Sequence, residues 1–227
     1  MAGKPRHILL EIYQRLLAGY RPQHWWPGDS PFEVIIGAIL TQSAAWSNVE
    51  KAINNLKSAG ALSPNQILKM PIKELARLIR PSGYYNAKAV KLKAFIEWLD
   101  NNYRNSLEEL SFIPTVDLRQ CLLSIHGVGP ETADSILLYA LNRPVFVIDA
   151  YTKRIISRIG LLSETSQYDD YQAYFMRSLP MDLHLFNEYH ALLVRLGKEA
   201  CNKKPLCFKC CIKAFCKYNL KSSKAGN

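Results

Sequence analysis

No segment of this 227-residue chain is long and apolar enough to cross a bilayer: the longest apolar run, Val34 to Leu40 with Gly37 inside it, falls far short of the roughly 20 residues needed. The amino-terminal residues are basic, but Glu11 breaks the apolar sequence that follows them, which argues against a secretory signal. Strand-like alternation is nearly absent, and there are no repeats or low-complexity linkers. Acidic residues are scarce, 19 against 29 Lys and Arg, for a net charge of +10. These absences exclude membrane-spanning, β-rich and solenoid architectures. They point to a soluble, intracellular protein, and a cytoplasmic monomer is expected. The 48% apolar content suffices for a buried core.

The positive charge is concentrated. Eight lysines and one glutamate lie between Lys198 and Lys224, which places +7 of the total there. Such a field attracts polyanions, nucleic acid above all, although a solvated lysine tail carries the same charge. Five of the six cysteines, Cys201, Cys207, Cys210, Cys211 and Cys216, crowd into sixteen residues. In a reducing compartment clustered thiolates bind metal more often than they form disulfides. Cys121, alone in an apolar helical pattern, reads as a core residue.

The chain is read as all-α. Ile8, Leu9, Ile12, Leu16 and Tyr20 share one face of a first helix, and Pro31 opens a strongly apolar helix through Gln42. A helix from Ser47 to Ala59 is stopped by Gly60, and Ser63-Pro64 and Met70-Pro71 mark two further starts. The Pro81-Ser82-Gly83 turn precedes a long helix to about Leu99. Helical patterns follow at 115–125, 130–141, 150–160, 169–178 and 182–198, while Pro144–Ile148 is extended with no evident partner strand. Residues 222–227 are expected to fray.

Two tracts carry chemistry. Residues 115–141 form a helical hairpin around Gly127-Val128-Gly129, whose backbone amides, beside the free donors of the next helix, can cradle a phosphate. Asp149 then ends the apolar run Val145–Ile148 and opens a helix, a position that by itself suits helix capping.

Together with the tract Pro31–Gln42 and the final cysteines, this arrangement resembles the helix-hairpin-helix DNA glycosylase superfamily and its endonuclease III-like part. The resemblance implies a six-helix barrel domain over 24–143. A second helical domain would be built from 1–23 and 144–227, with the active site between the two. It implies double-stranded DNA carrying a damaged base as the partner, and the hairpin as its backbone grip through Gly127, Val128 and Gly129. It also implies Asp149 as the catalytic carboxylate and Gln42 as the residue that fills the gap left by a flipped nucleotide. An ionised carboxylate stabilises the positive charge that develops on the sugar and orients the attacking water. Base flipping itself costs roughly a few kcal/mol.

Many endonuclease III-like enzymes carry a nucleophilic lysine two positions after the second hairpin glycine, where this chain has Glu131. A carboxylate cannot form a Schiff base, so a monofunctional glycosylase without lyase activity is expected. Lys153 is the alternative amine, or a phosphate contact. Cys201-x5-Cys207-x2-Cys210-x5-Cys216 resembles the family's [4Fe–4S] loop, with a first interval one residue shorter than usual and Cys211 as an alternative to Cys210. Four-cysteine zinc is the competing reading. Lys203 and Lys204, beside the loop, are candidate DNA contacts. Trp25-Trp26-Pro27, Thr41–Trp46 and Arg80–Asn86 look like the branch that contains 3-methyladenine DNA glycosylase III. That likeness assigns Trp46 and Trp26, and less directly Trp25, to stacking on a flipped alkylated purine. Domain packing is the alternative role for the tryptophans. Other damaged or mismatched bases, or a non-catalytic DNA-binding protein, are the alternative functions.

Overall fold

The computed structural model describes residues 4–224, with side chains placed for 7–220. The helices in chain order are α1 (Lys4–Tyr20), α2 (Pro31–Leu40), α3 (Trp46–Ser58), α4 (Pro64–Lys69), α5 (Ile72–Leu78), α6 (Tyr85–Tyr103), α7 (Thr115–Ser124), α8 (Pro130–Ser135), α9 (Ala150–Ile159), α10 (Tyr168–Ser178), α11 (Leu183–Glu199) and α12 (Lys217–Lys224). Among the described residues there is no strand, and the fold is all-α. Two compact units are present, one of Met1–Trp25 with Pro144–Asn227 and the other of Trp26–Arg143.

In the unit 26–143, α2 is the central element. Every residue from Phe32 to Leu40 is buried, as expected of a helix apolar on all sides. It packs against α3, α6, α8 and the segment that follows α8. Ser30 caps α2 by accepting from the Glu33 amide at 3.2 Å, with Pro31 at the first helical position. The helix stops at Leu40 rather than at Gln42, because the Thr41 amide closes the last turn on Gly37 O and Ser43 takes a left-handed φ of 54°. Gln42 therefore lies in the turn, not on the helix. The segment read as one helix over 130–141 is α8 followed by a π-helical turn, Ile136–Ala140, wholly buried.

In the other unit, α9 and α11 pack together and α1 lies on α11. Phe146 stacks on Phe175 with centroids 4.0 Å apart, and Tyr189 closes over both and donates to Leu9 O. The extended segment Pro144–Ile148 needs no partner strand. Its backbone is satisfied by α10 side chains, with Gln172 donating to Phe146 O and Tyr168 accepting from the Ile148 amide.

Two expectations are corrected. Ser222–Lys224 continue α12 rather than fray, and the remainder of the segment expected to fray, 225–227, lies outside the described residues. Cys121 is half-buried on α7, not a core residue.

Candidate active site

Asp149 is buried at the N-cap of α9, and its Oδ1 accepts from the Thr152 amide at 2.7 Å. Capping engages one oxygen only. The other, Oδ2, faces Nε2 of His190 on α11 at 3.8 Å. Burial pushes the His190 imidazole below its ordinary range, and the Asp149 charge opposes that shift. Nothing in the pattern of α11 distinguishes His190 from a core residue, so only packing reveals it beside Asp149. Lys153, one turn along α9, lies over the rings of Tyr168 and Tyr171, 6.0 and 5.7 Å from their centroids.

The far end of α9 holds the cysteine loop. Arg154 donates to the carbonyls of Cys201 and Gly197, and Arg158 to those of Asn202 and Lys203 and to the Cys201 sulfur at 3.3 Å. Cys201, Cys207, Cys210 and Cys216 line one small cavity. Cys211 lies apart, with its sulfur 3.2 Å from where a side chain on Gly19 of α1 would begin. Burial above all pushes the Cys210 thiol up to about 11, and the neighbouring sulfurs add to the shift. Among the described residues no three His, Cys, Asp or Glu side chains converge as ligands of one metal ion. Lys203, Lys204, Lys209 and Lys213 are all exposed around this loop, as is Phe208.

In the unit 26–143, the hairpin is α7, the 125–129 turn and α8, clamped by a two-pronged ion pair from Arg119 to the buried Asp134, at 2.7 and 3.0 Å. Gly127 has φ 81°, whereas Gly129 has φ −91° and open space where a Cβ would stand. The Val128 amide donates within the turn to Ile125 O and the Val128 side chain is buried, so of the three residues expected to grip a DNA backbone Val128 has its amide already engaged. Glu131 is exposed in the first turn of α8.

Gln42 lies against this hairpin. Its Nε2 donates to Gly127 O at 3.1 Å and to Thr132 Oγ1 at 2.9 Å, and its Oε1 accepts from Lys91. Lys88, one turn earlier on α6, is fully buried and donates to Leu40 O and Ser82 O at 2.8 and 2.6 Å. Burial, assisted by the charge of Lys91, lowers Lys88 to about 8. Neither lysine stands out in the amphipathic pattern of α6.

Trp26 and Trp46 meet edge to face, with centroids 5.3 Å apart and an interplanar angle of 89°. Tyr139, from the π-helical turn, packs on the other side of Trp26 at 5.2 Å. Gly37 provides the seat, since a Cβ there would stand 3.3 Å from the Trp26 indole nitrogen. Trp25 falls in the other unit, where Lys198 lies 5.8 Å over its ring and a groove shared with Tyr13, His24 and His184 surrounds it.

Comparison with known proteins adds to this geometry. Residues 36–181 match the HhH-GPD superfamily of base excision DNA repair proteins. A putative DNA repair glycosylase of Methanocaldococcus jannaschii is 50% identical over 92% of this chain and 96% of its own length. Endonuclease III of Sulfolobus acidocaldarius is 33% identical over 85% of this chain and 84% of its own. Among solved structures, H. pylori 3-methyladenine DNA glycosylase bound to 1,N6-ethenoadenine matches with a TM-score of 0.74 at 28% identity, covering 86% of this chain and 97% of that one. A non-covalent endonuclease III–DNA complex matches in fold, with a TM-score of 0.83 at 20% identity over 96% and 98%.

Proposed function

The chain belongs to the HhH-GPD superfamily of base excision DNA repair proteins, as a DNA glycosylase of that family, and on that premise we propose that it hydrolyses alkylated purines from duplex DNA without cutting the strand. The observation that carries the substrate class is the Trp26, Trp46 and Tyr139 cluster. Alkylated purines are often cationic, and electron-rich rings favour a cation by roughly 0.5–2 kcal/mol. The likeness to the 3-methyladenine glycosylase, at 28% identity, supports the same class.

Asp149 is the carboxylate of the reaction. Thr152 holds one of its oxygens, and the other is the one that stabilises positive charge on the sugar and orients water. Water is the nucleophile because Glu131 replaces an amine at the hairpin. Lys153 does not replace it in this reading, since its ammonium is engaged over the rings of Tyr168 and Tyr171. The glycine amides of the hairpin, with Lys203 and Lys204, grip the phosphate backbone, and Gln42 fills the space of the flipped nucleotide.

The cysteine loop is suited to a [4Fe–4S] cluster. Four cysteines around one cavity match the donor set of such a cluster, and their spacing in sequence has one close pair where four-cysteine zinc sites have two. Cys201, Cys207, Cys210 and Cys216 would hold it, and Cys211, against α1, would not. When bound, the cluster supplies cross-links for the loop, not chemistry at the glycosidic bond.

The test is release of bases from methylated duplex DNA by iron-loaded protein at fixed salt. Release of 3-methyladenine, with strand breaks appearing only after alkali, is the expected result. Breaks formed without alkali would overturn the monofunctional reading. Release confined to uracil, mismatched thymine or oxidised pyrimidines would overturn the substrate class.

A further inference from the structure

Lys91 of α6 enters the site described so far only as a neighbour of Gln42 and Lys88, with no role of its own. Its position is nonetheless closely determined. Its stem lies under the hairpin turn, where a Cβ on Gly127 would come within 2.3 Å of Lys91 Cγ, and its ammonium donates to Gln42 Oε1. The other end of the Gln42 amide is held by the hairpin, through Gly127 O of the turn and Thr132 Oγ1 of α8. The side chain read as the gap filler is thus held at one end by the element that receives phosphate and at the other by a lysine whose stem lies beneath that element.

We propose that Lys91 is a positioning residue that ties insertion of Gln42 to arrival of the DNA backbone at the hairpin. This rests on the reading of Gln42 as the residue that enters the duplex. The exchange is electrostatic. A phosphate oxygen is a charged acceptor and the Gln42 amide oxygen a neutral one, so the ammonium transfers to the phosphate once it is within reach. Lysine suits the role because its compact head carries three donors on a flexible stem, which can turn from one acceptor to the other. Loss of the Lys91 bond leaves Gln42 held only through its Nε2, by two neutral acceptors. The amide then swings from the hairpin into the gap while the lysine, with its stem still beneath Gly127, remains on the backbone. Gln42 is therefore retained on the protein until DNA is seated and is released where the backbone is gripped.

The experiment follows insertion directly and needs no cleavage. A duplex carries a stable abasic-site analogue with 2-aminopurine opposite it, and stopped-flow fluorescence reports entry of a side chain into the gap at saturating protein. Lys91→Met keeps the stem and removes the ammonium, and Lys91→Arg restores the charge. Removing the charge-assisted hydrogen bond that retains Gln42 predicts insertion about tenfold faster in Lys91→Met, with a return to the wild-type rate in Lys91→Arg. Lys91→Gln, which keeps a donor but not the charge, should be fast like the methionine variant and serves if that variant does not fold. A wild-type rate at saturation in the uncharged variants, even with weaker affinity, would overturn the proposal. Gln42→Ala, measured in parallel, separates the two ideas. If it leaves the signal intact, the gap-filling reading falls and the proposal with it. If it abolishes the signal while the uncharged Lys91 variants insert normally, only the role of Lys91 falls.

Discussion

A carboxylate that caps a helix engages one oxygen and keeps one in reserve, and the catalytic role proposed for Asp149 uses the oxygen that the cap leaves. Asn caps a helix about as well as Asp, so Asp149→Asn should change stability by only a few tenths of a kcal/mol. It removes the charge that meets the sugar cation, and electrostatic groups of this kind are worth about 10²–10³ in rate. Single-turnover base release and duplex binding, measured on the same preparation, check this: release should collapse while binding stays near wild type. Full release by the Asn variant would remove Asp149 from catalysis. The capping position of Asp149 was legible in the sequence, because an apolar run that ends in Asp before a helix is a local signal. His190 beside it was not, since a histidine on the buried face of α11 carries no mark of what it faces. Lys88 was equally hidden: only the fold shows a lysine fully buried with carbonyl partners at the end of α2.

Among the elements, the hairpin separates two glycines that look equivalent in sequence. Gly127 has a left-handed backbone and Lys91 directly beneath it, while Gly129 has neither constraint. Gly127→Ala should therefore destabilise the fold by about 1–2 kcal/mol, the cost of a Cβ in left-handed backbone. Gly129→Ala should melt close to wild type. Both should weaken binding to every duplex alike, since phosphate contacts carry no base information. Thermal melts with filter binding on unrelated duplexes would show it, and a loss confined to one sequence would contradict the phosphate role. Element starts were legible where Ser-Pro pairs stand before α2 and α4. The end of α2 and the π-helical turn after α8 were not, because an apolar run does not say where its hydrogen-bond register changes. That turn places Tyr139 against Trp26, a partner invisible to helical periodicity.

At the scale of the molecule, α9 connects two functions within one unit: Asp149 starts it, and Arg154 and Arg158 carry the cysteine loop two turns on. The guanidinium hydrogen bonds reach the loop at Cys201–Lys203, and Arg158 meets it again at Cys216 and Tyr218, so the stretch between depends more on the proposed cluster. Removing iron with a chelator should bleach the sulfur-to-iron absorbance and open the loop to trypsin at Lys209 or Lys213. The α9–α11 pair should persist, as read by far-ultraviolet circular dichroism. Unchanged resistance to trypsin after bleaching would mean that the loop holds itself.

The sequence by itself determined the helical class, the hairpin, the basic carboxyl-terminal segment and the family. Each of these is written in local spacing or composition: apolar periodicity, a glycine turn, clustered lysines and cysteines. Tertiary structure alone decided which oxygen of Asp149 meets His190, that Cys210 rather than Cys211 joins the other three sulfurs, and that Gln42 is held by Lys91 and the hairpin. Those are contacts between residues tens of positions apart. Side-chain reach and burial set them, and neither is encoded in the pattern of any one segment.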